Sequence, residues 1–243
     1  MDRYQTNYTT VVNVRNGVMR GVYAWMGGGL ALTAFVSLLT VSSPALLQAI
    51  LGNRILFYAL VFGELGLVFT ISGAINRISA STASLLFLAY AALNGLTMST
   101  IFVAYTSSSI ASTFLVTSGM FGAMSLYGYL TKSDLTSWGS FLFMGLVGVV
   151  IASVVNIFLH SSMIYWIVSF CGVIVFTGLT AYDTQKIKNQ GDVGPKGAIL
   201  GALTLYLDFV FPDHAEAARQ PQVARCHRRG RPWPVEPEKG RRG

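Results

Sequence analysis

Charged residues are scarce in this sequence. Asp, Glu, Lys and Arg make up 11% of the 243 residues, whereas ordinary soluble domains carry about 25%. Hydrophobic residues make up 53%, and the mean hydropathy is +0.55. This composition excludes a sizeable soluble domain and favours a polytopic, all-α membrane protein built as one helical bundle.

Cysteines and catalytic motifs are equally few. The two cysteines, Cys171 and Cys226, lie in an apolar stretch and near the C-terminus, which excludes a disulfide framework. Glycine-rich phosphate loops and HExxH are missing, and His160, His214 and His227 are scattered, which fits neither a zinc site nor a catalytic triad. We therefore expect neither an enzyme nor a bound cofactor.

Seven apolar stretches run through the chain, and the first six are each about as long as a bilayer-spanning helix, roughly 20 residues. The seventh has only about 15 residues, too few to cross the hydrocarbon at 1.5 Å per residue. The predicted spans are Val22–Val41, Ile55–Ile75, Ala83–Tyr105, Ser112–Leu130, Trp138–Leu159, Met163–Tyr182 and Gly197–Phe211. We read the first as an uncleaved anchor in a lipid bilayer.

The distribution of Lys and Arg predicts the orientation. With the N-terminus in the cytoplasm, only Arg54 falls in an outer loop. The inner segments hold Arg3, Arg15, Arg20, Arg77, Lys132, Lys186, Lys188 and Lys196. Because cytoplasmic loops carry the excess of positive charge, a cytoplasmic N-terminus is expected.

The residues after Phe211 differ from the rest. The formal net charge is +7, and eight of the 17 Lys and Arg lie in this tail, so the charge does not indicate a nucleic-acid partner. A shifted reading frame would produce such a tail, and a native basic, disordered tail that binds anionic headgroups is the alternative. The expected organisation is a cytoplasmic segment 1–21, a seven-span bundle 22–211 and a tail 212–243.

Four ionisable residues lie in or beside the spans. Because charge in the hydrocarbon is costly, each of them is a candidate functional residue. Asp183 ends the sixth span and is alternatively an interfacial carboxylate paired with Lys186. Asp208 lies deep in the seventh span. Glu64 is alternatively a buried, hydrogen-bonded residue, and Arg77 is alternatively a plain positive-inside anchor.

Asp183 and Asp208 are expected to form a pair. A short turn around Gly191–Gly194 makes their helices antiparallel neighbours, with a difference in depth of about 8 Å that tilt could remove. Two adjacent carboxyl groups in a low dielectric cannot both ionise easily and would share a proton. They also offer weak, transient contact to a hard cation such as Ca²⁺, with Arg77 as a countercharge that could hold a pathway shut.

Three segments resemble one known family: ASTFLVTSGMFGAMSLYGYLTKSDL, GVIVFTGLTAYDTQKIKN and ILGALTLYLDF. The chain is similar to the Bax inhibitor-1 family, in its bacterial inner-membrane branch. The resemblance implies six helices around a central seventh, a pH-sensitive calcium leak, and Asp183 and Asp208 as the pH sensor. It further implies supporting roles for Glu64 and for Arg77 as a latch. The chain departs from the family in a shorter 191–197 connection and after Phe209.

A pH-gated cation leak is therefore the leading hypothesis. A non-conducting regulator of another membrane protein, such as a membrane protease, is an alternative that the sequence leaves open. An intramembrane aspartyl protease is less favoured. Tyr182-Asp183 resembles its first motif, but Asp208 lacks the preceding Gly-x-Gly, and Gly191-Asp192 lies in the connecting turn.

Overall fold

A computed structural model describes residues 2–190 and 194–217, and within these ranges the protein is entirely helical. Seven of the eight helices found there have more than 20 residues, and α2 has 9. The all-α prediction is confirmed. The helices are α1 (Asp2–Ser42), α2 (Pro44–Gly52), α3 (Arg54–Ala74), α4 (Ala80–Ala104), α5 (Ser107–Leu130), α6 (Thr136–Leu159), α7 (Ser162–Asn189) and α8 (Gly194–Ala217).

Polar side chains begin four of these helices. Asn53, Ser79, Thr106 and Ser161 each accept a hydrogen bond from a backbone N–H in the first turn, at the starts of α3, α4, α5 and α7. The first N–H groups of a helix have no partner within the helix, and these caps satisfy some of them. The short polar breaks that separate the apolar stretches are therefore the helix boundaries.

The short helix α2 was not foreseen. It occupies the stretch predicted as the loop between the first two spans. Pro44 stands at its first helical position, where a missing N–H costs nothing, and Ser43 is extended (φ −109°, ψ 101°) because proline disfavours helical geometry in the residue before it. The same proline thus ends α1 and starts α2.

Six helices are long and apolar enough to cross a membrane, and they correspond to the first six predicted spans. Their apolar segments are Gly17–Ser42, Arg54–Ala74, Ala80–Val103, Ser107–Leu130, Thr136–Asn156 and Ser162–Asn189. The prediction of a seventh span is not supported, because α8 is not among the candidates found in the described residues.

The helix ends differ from the sequence predictions at both termini. α1 begins at Asp2, so residues 2–21, expected as a separate segment, are helical and continuous with the first span. α8 continues to Ala217, six residues past the predicted end at Phe211. Residues 218–243 of the predicted tail lie outside the described residues.

The exterior of the bundle is apolar. Large side chains on α1, α3 and α6 stand open on its surface, among them Phe62 (68% exposed), Phe69 and Phe158 (80% exposed). An apolar surface of this extent indicates a lipid-facing protein.

The most buried helix is α8, which packs against α1, α3, α4, α5 and α7. Its buried residues are Ile199, Ala202, Leu203, Leu205, Tyr206, Asp208, Phe209 and Val210. The ring of Tyr206 makes edge-to-face contacts with Phe87 (5.9 Å between ring centres) and Tyr90 (5.4 Å) on α4. Asp208 thus lies on the helix that forms the interior of the bundle.

Glycines allow two close helix approaches. A Cβ at Gly128 on α5 would collide with the carbonyl of Ala181 on α7, and one at Gly95 on α4 would lie 2.7 Å from the carbonyl oxygen of Thr33 on α1. Small residues let helices pack in lipid, where no hydrophobic effect drives them together. The contact at Gly128 lies two residues from Asp183 and sets how closely α7 approaches α5.

Candidate functional site

The carboxyl groups of Asp183 on α7 and Asp208 on α8 are hydrogen-bonded to each other. Both side chains are buried, with 9% and 6% of their surface exposed. An ionised carboxylate only accepts hydrogen bonds, so a bond between two carboxyl groups requires a proton on one of them. Two buried acids in this contact are suited to share one proton.

Helices α7 and α8 pack antiparallel, and this pairing brings the two aspartates together. Ile187, one turn after Asp183, lies against Gly201, two turns before Asp208, where an added Cβ would be 3.3 Å from the isoleucine side chain. The order of contacts along α7 is thus reversed along α8. The two carboxyl groups are in contact, so the expected difference in depth of about 8 Å does not keep them apart.

A small cavity adjoins the pair. Its volume is about 10 Å³, and its walls include Thr117, Phe121, Thr177, Thr180 and Asp208. Oδ2 of Asp208 is buried and has no hydrogen-bond partner among the residues that the structure describes. Because a buried polar atom without a partner is costly, the oxygen is suited to bind a water or a cation that reaches this cavity.

Lys186 is the cation that acts on Asp183. It lies one helical turn further on, is exposed, and stands 5.6 Å from the centre of the Tyr182 ring. The sequence-based alternative for Asp183, an acid influenced by Lys186, is thus also present in the geometry. It coexists with the contact to Asp208.

Arg77 lies away from the pair. It is exposed in the turn after α3, and within the described chain Asp183 is bonded to Asp208 and influenced by Lys186. No ion pair between Arg77 and either aspartate is formed in these residues. The expected Arg–Asp contact is therefore not present, because α3 packs mainly on α4 and not on α7.

Glu64 belongs to a separate set of hydrogen bonds, which we call the tyrosine network: Glu64, Thr97, Asn94, Tyr206 and Thr33. The Thr97 hydroxyl donates to Glu64 Oε1 (2.8 Å), and the Asn94 side chain also bonds to Glu64. The Tyr206 hydroxyl donates to Asn94 Oδ1 (3.2 Å) and lies 2.6 Å from Thr33 Oγ1. The network joins α3, α4, α8 and α1.

The tyrosine network gives Glu64 its hydrogen-bond partners. Glu64 is half-buried and hydrogen-bonded, as the alternative held. The interhelical hydrogen bonds of Tyr206 and Thr33 were not predicted from the sequence. A tyrosine two residues from Asp208 was the available signal, since buried tyrosine hydroxyls usually have a hydrogen-bond partner.

The end of α7 is tied to three neighbours by consecutive residues. Asp183 bonds to α8. The Thr184 hydroxyl lies 3.1 Å from Ser125 Oγ on α5. Gln185 accepts from the Leu135 N–H (2.8 Å) and donates to the Ser133 carbonyl (2.7 Å) in the α5–α6 turn. The position of Asp183 is therefore held by contacts on both sides of it.

An open cleft lies between α1 and α5, and we call it the α1–α5 cleft. Its volume is about 730 Å³, and Arg20, Tyr23, Phe121, Ser125 and Tyr129 are among its lining residues. The Tyr23 hydroxyl lies 2.5 Å from Ser125 Oγ. Through Ser125, which contacts Thr184, the cleft borders the end of α7.

Comparison with known proteins identifies the family. Residues 15–211 match the family model described as "Inhibitor of apoptosis-promoting Bax1". The chain belongs to the Bax inhibitor-1 family. It is 50% identical over 221 residues to the inner membrane protein YbhL of Escherichia coli K12, covering 86% of this chain and 94% of that protein.

Other relatives come from distant bacteria. An uncharacterized protein of Borreliella burgdorferi is 43% identical, covering 81% of this chain and 88% of its own. An uncharacterized protein of Deinococcus radiodurans is 40% identical, and the match covers 84% of this chain and 90% of that protein. The Bax inhibitor-1 match ends at Phe211, where the apolar pattern of the chain also ends. The resemblance seen in the sequence is thus confirmed, and the protein is a multi-pass membrane protein.

Proposed function

We propose that the protein is a pH-sensitive cation leak of the bacterial inner membrane. Its relative YbhL is named as a protein of that membrane. Ca²⁺ is the permeant ion, and Asp183 and Asp208 are sensor and gate. The observation that carries the proposal is the hydrogen bond between these two buried carboxyl groups. The proposal involves no catalysis and no bound cofactor.

The shared proton holds the pathway closed. While it is bound, α7 and α8 are joined at this point, and the adjoining cavity of about 10 Å³ offers room for about one water, far less than a hydrated cation needs. Loss of the proton at higher pH leaves two negative charges in contact, which repel strongly in a low dielectric. The leak is therefore expected to increase as pH rises.

The charged and titratable groups near the pair support this assignment. Lys186 on α7 is an exposed cation, and it attracts the negative charge of an ionised Asp183. From α1, Tyr23 reaches the end of α7 through Ser125 and Thr184. From α5, the cavity wall presents Thr117, which does not titrate. The two aspartates are thus the groups whose ionisation changes this contact.

The open site suits a hard cation in passage. Two carboxylates and the hydroxyl groups of Thr117, Thr177 and Thr180 are oxygen ligands of the kind that Ca²⁺ prefers. Only two of these five groups carry negative charge, so the contact is weaker than that of a tight calcium site, where carboxylates supply many of the six to eight oxygens. A contact of this strength releases the ion, as a leak requires.

The proposed topology is a bundle of seven long helices with α8 in the centre and the N-terminus in the cytoplasm. The contacts of α8 with five other helices support the central position. The excess of Lys and Arg at the α5–α6 and α7–α8 turns supports the orientation, because Lys132, Lys186 and Lys188 lie there.

Calcium flux into proteoliposomes across a pH series tests the proposal. Asp183→Asn and Asp208→Asn should remove the pH dependence, since an amide neither titrates nor repels. Asp134→Asn is the matched control: hydrogen bonds from the Thr136 hydroxyl and backbone N–H lower the pKa of the exposed Asp134, which therefore stays ionised near neutral pH. Unchanged flux in the two Asn variants would refute the proposal, and a stoichiometric copurified protein would then favour the regulator.

A further inference from the structure

The α1–α5 cleft and the cavity at Asp208 lie on either side of one residue. Phe121 lines the open cleft of about 730 Å³ and also lines the cavity of about 10 Å³ that contains Asp208. It is the residue that the two sets of walls have in common. Its ring therefore separates a space open to the surface from the buried acid.

The ring of Phe121 is held in this place by α8. It makes an edge-to-face contact with Phe209, with ring centres 5.5 Å apart, and Phe209 is adjacent to Asp208 in sequence and 4% exposed. Phe114, two turns earlier on α5, makes the equivalent contact with Phe209 at 5.7 Å. Phe114 borders a different pocket, which it shares with Met98 and Phe102.

Both ends of a path across Phe121 are polar. At the outer end lie Arg20, Tyr23 and Ser125. At the inner end lies Asp208, 6% exposed, whose Oδ2 has no hydrogen-bond partner within the described chain. A buried oxygen of this kind attracts water or a cation, since pairing it recovers the desolvation cost.

We propose that water and cations reach Asp208 from the α1–α5 cleft by passing Phe121, which acts as the gate of this route. The inference rests on the proposed function in that the aspartate pair is the destination. It adds the direction of entry and the side chain that closes it. Displacement of the Phe121 ring toward the cleft joins the two spaces, whereas displacement of Phe114 does not.

Carboxyl labelling measures this access without measuring flux. The full-length protein in lipid nanodiscs is treated with a water-soluble carbodiimide and glycine ethyl ester, and the labelled fraction of Asp208 is followed by peptide mass spectrometry. Asp134, exposed in the α5–α6 turn, serves as the internal standard. Phe121→Ala removes the ring that closes the route, and Phe121→Trp replaces it with a larger ring. Phe114→Ala is the matched control, because it loses the same type of contact with Phe209.

We expect Phe121→Ala to accelerate labelling of Asp208 by at least about tenfold, the factor that a barrier lower by about 1.4 kcal/mol produces. Phe114→Ala should label like the unaltered protein, and Phe121→Trp should label more slowly. Thermal unfolding of the two alanine variants, compared in the same nanodiscs, establishes that both are folded.

Two results would overturn the inference. One is the same labelling rate in Phe121→Ala as in the unaltered protein, as a lipid chain filling the cleft would cause. The other is equal acceleration in Phe121→Ala and Phe114→Ala, which would show general loosening of α5. Failure of the proposed function is a separate result, because loss of pH dependence is read from flux in the Asn variants and access is read from labelling.

Discussion

Tyr206 and Asp208, two positions apart on α8, contact opposite halves of the bundle. Two residues correspond to about 200° around a helix. The Tyr206 hydroxyl therefore reaches Asn94 on α4 and Thr33 on α1, while the Asp208 carboxyl reaches Asp183 on α7. Because both contacts belong to one helix, α8 cannot rotate at the aspartate pair without straining the tyrosine network.

The aspartate pair should make the stability of the protein depend on pH. On the proposed function, the folded pair keeps a proton that the separated acids of the unfolded chain release, so the folded state binds more protons. Stability should therefore fall as pH rises. In the double variant Asp183→Asn/Asp208→Asn, thermal unfolding in detergent should lose this dependence. A double variant that keeps the full slope would show that other groups cause it.

Tyr206→Phe should destabilise the protein by about 1–3 kcal/mol, because it removes the hydrogen bond that the buried Asn94 Oδ1 accepts from the Tyr206 hydroxyl. The matched control is Tyr90→Phe. Tyr90 is buried to a similar degree and makes an edge-to-face contact with Tyr206, but its hydroxyl is not part of the tyrosine network as defined above. Chemical denaturation should separate the two variants, and equal losses would show that the network adds nothing beyond packing.

Tyr206→Phe should also change the response of the leak to pH. If α8 transmits strain between its two sides, loosening the tyrosine network lets α8 move at lower pH, and the midpoint of the flux profile shifts toward acid. Tyr90→Phe should leave the midpoint in place. A loss of stability without any shift in midpoint would show that the two sides of α8 act independently.

Gly128→Ala should destabilise the bundle by about 1–3 kcal/mol, the usual cost of an overpacked site. Its new methyl group would collide with the Ala181 carbonyl and push α7 away from α5. Gly119→Ala on the same helix is the control, because no atom lies within 4 Å of its added Cβ. Thermal unfolding of the two variants, measured side by side, checks the difference.

Gln185→Ala should cost about 1–3 kcal/mol, since it leaves the Leu135 N–H and the Ser133 carbonyl of the α5–α6 turn without this partner. Gln190→Ala, at the exposed end of α7, should be close to neutral. Hydrogen exchange of the turn amides should rise in the first variant only. Unchanged exchange at Leu135 would mean that the turn is held by other contacts.

Much of the fold could be predicted from the amino-acid sequence. Six helices long enough to cross a membrane follow from the lengths of the apolar stretches, and the polar caps between them mark most boundaries. The juxtaposition of Asp183 and Asp208 followed from a short connection between two long helices. These predictions depend on length and adjacency, which a linear sequence contains.

Other features could not be predicted, and the tyrosine network is the clearest case. A helix in lipid is apolar on all sides, so the pattern of residues does not tell which face of α8 meets α4 and which meets α7. For the same reason the sequence placed Arg77 near the aspartates, whereas α3 packs mainly on α4. Helix α2 was missed because Pro44 was read as part of a loop.

The amino-acid sequence by itself determined that this is a membrane protein, that its helices alternate in direction, and that two acids lie on consecutive helices. Each of these follows from the cost of exposing charge and backbone to hydrocarbon. Only the tertiary structure decided that the acids touch, that Tyr206 binds the other half of the bundle, and that Phe121 lies between Asp208 and the cleft. Those relationships depend on how each helix is rotated, which is set by packing among side chains far apart in the chain.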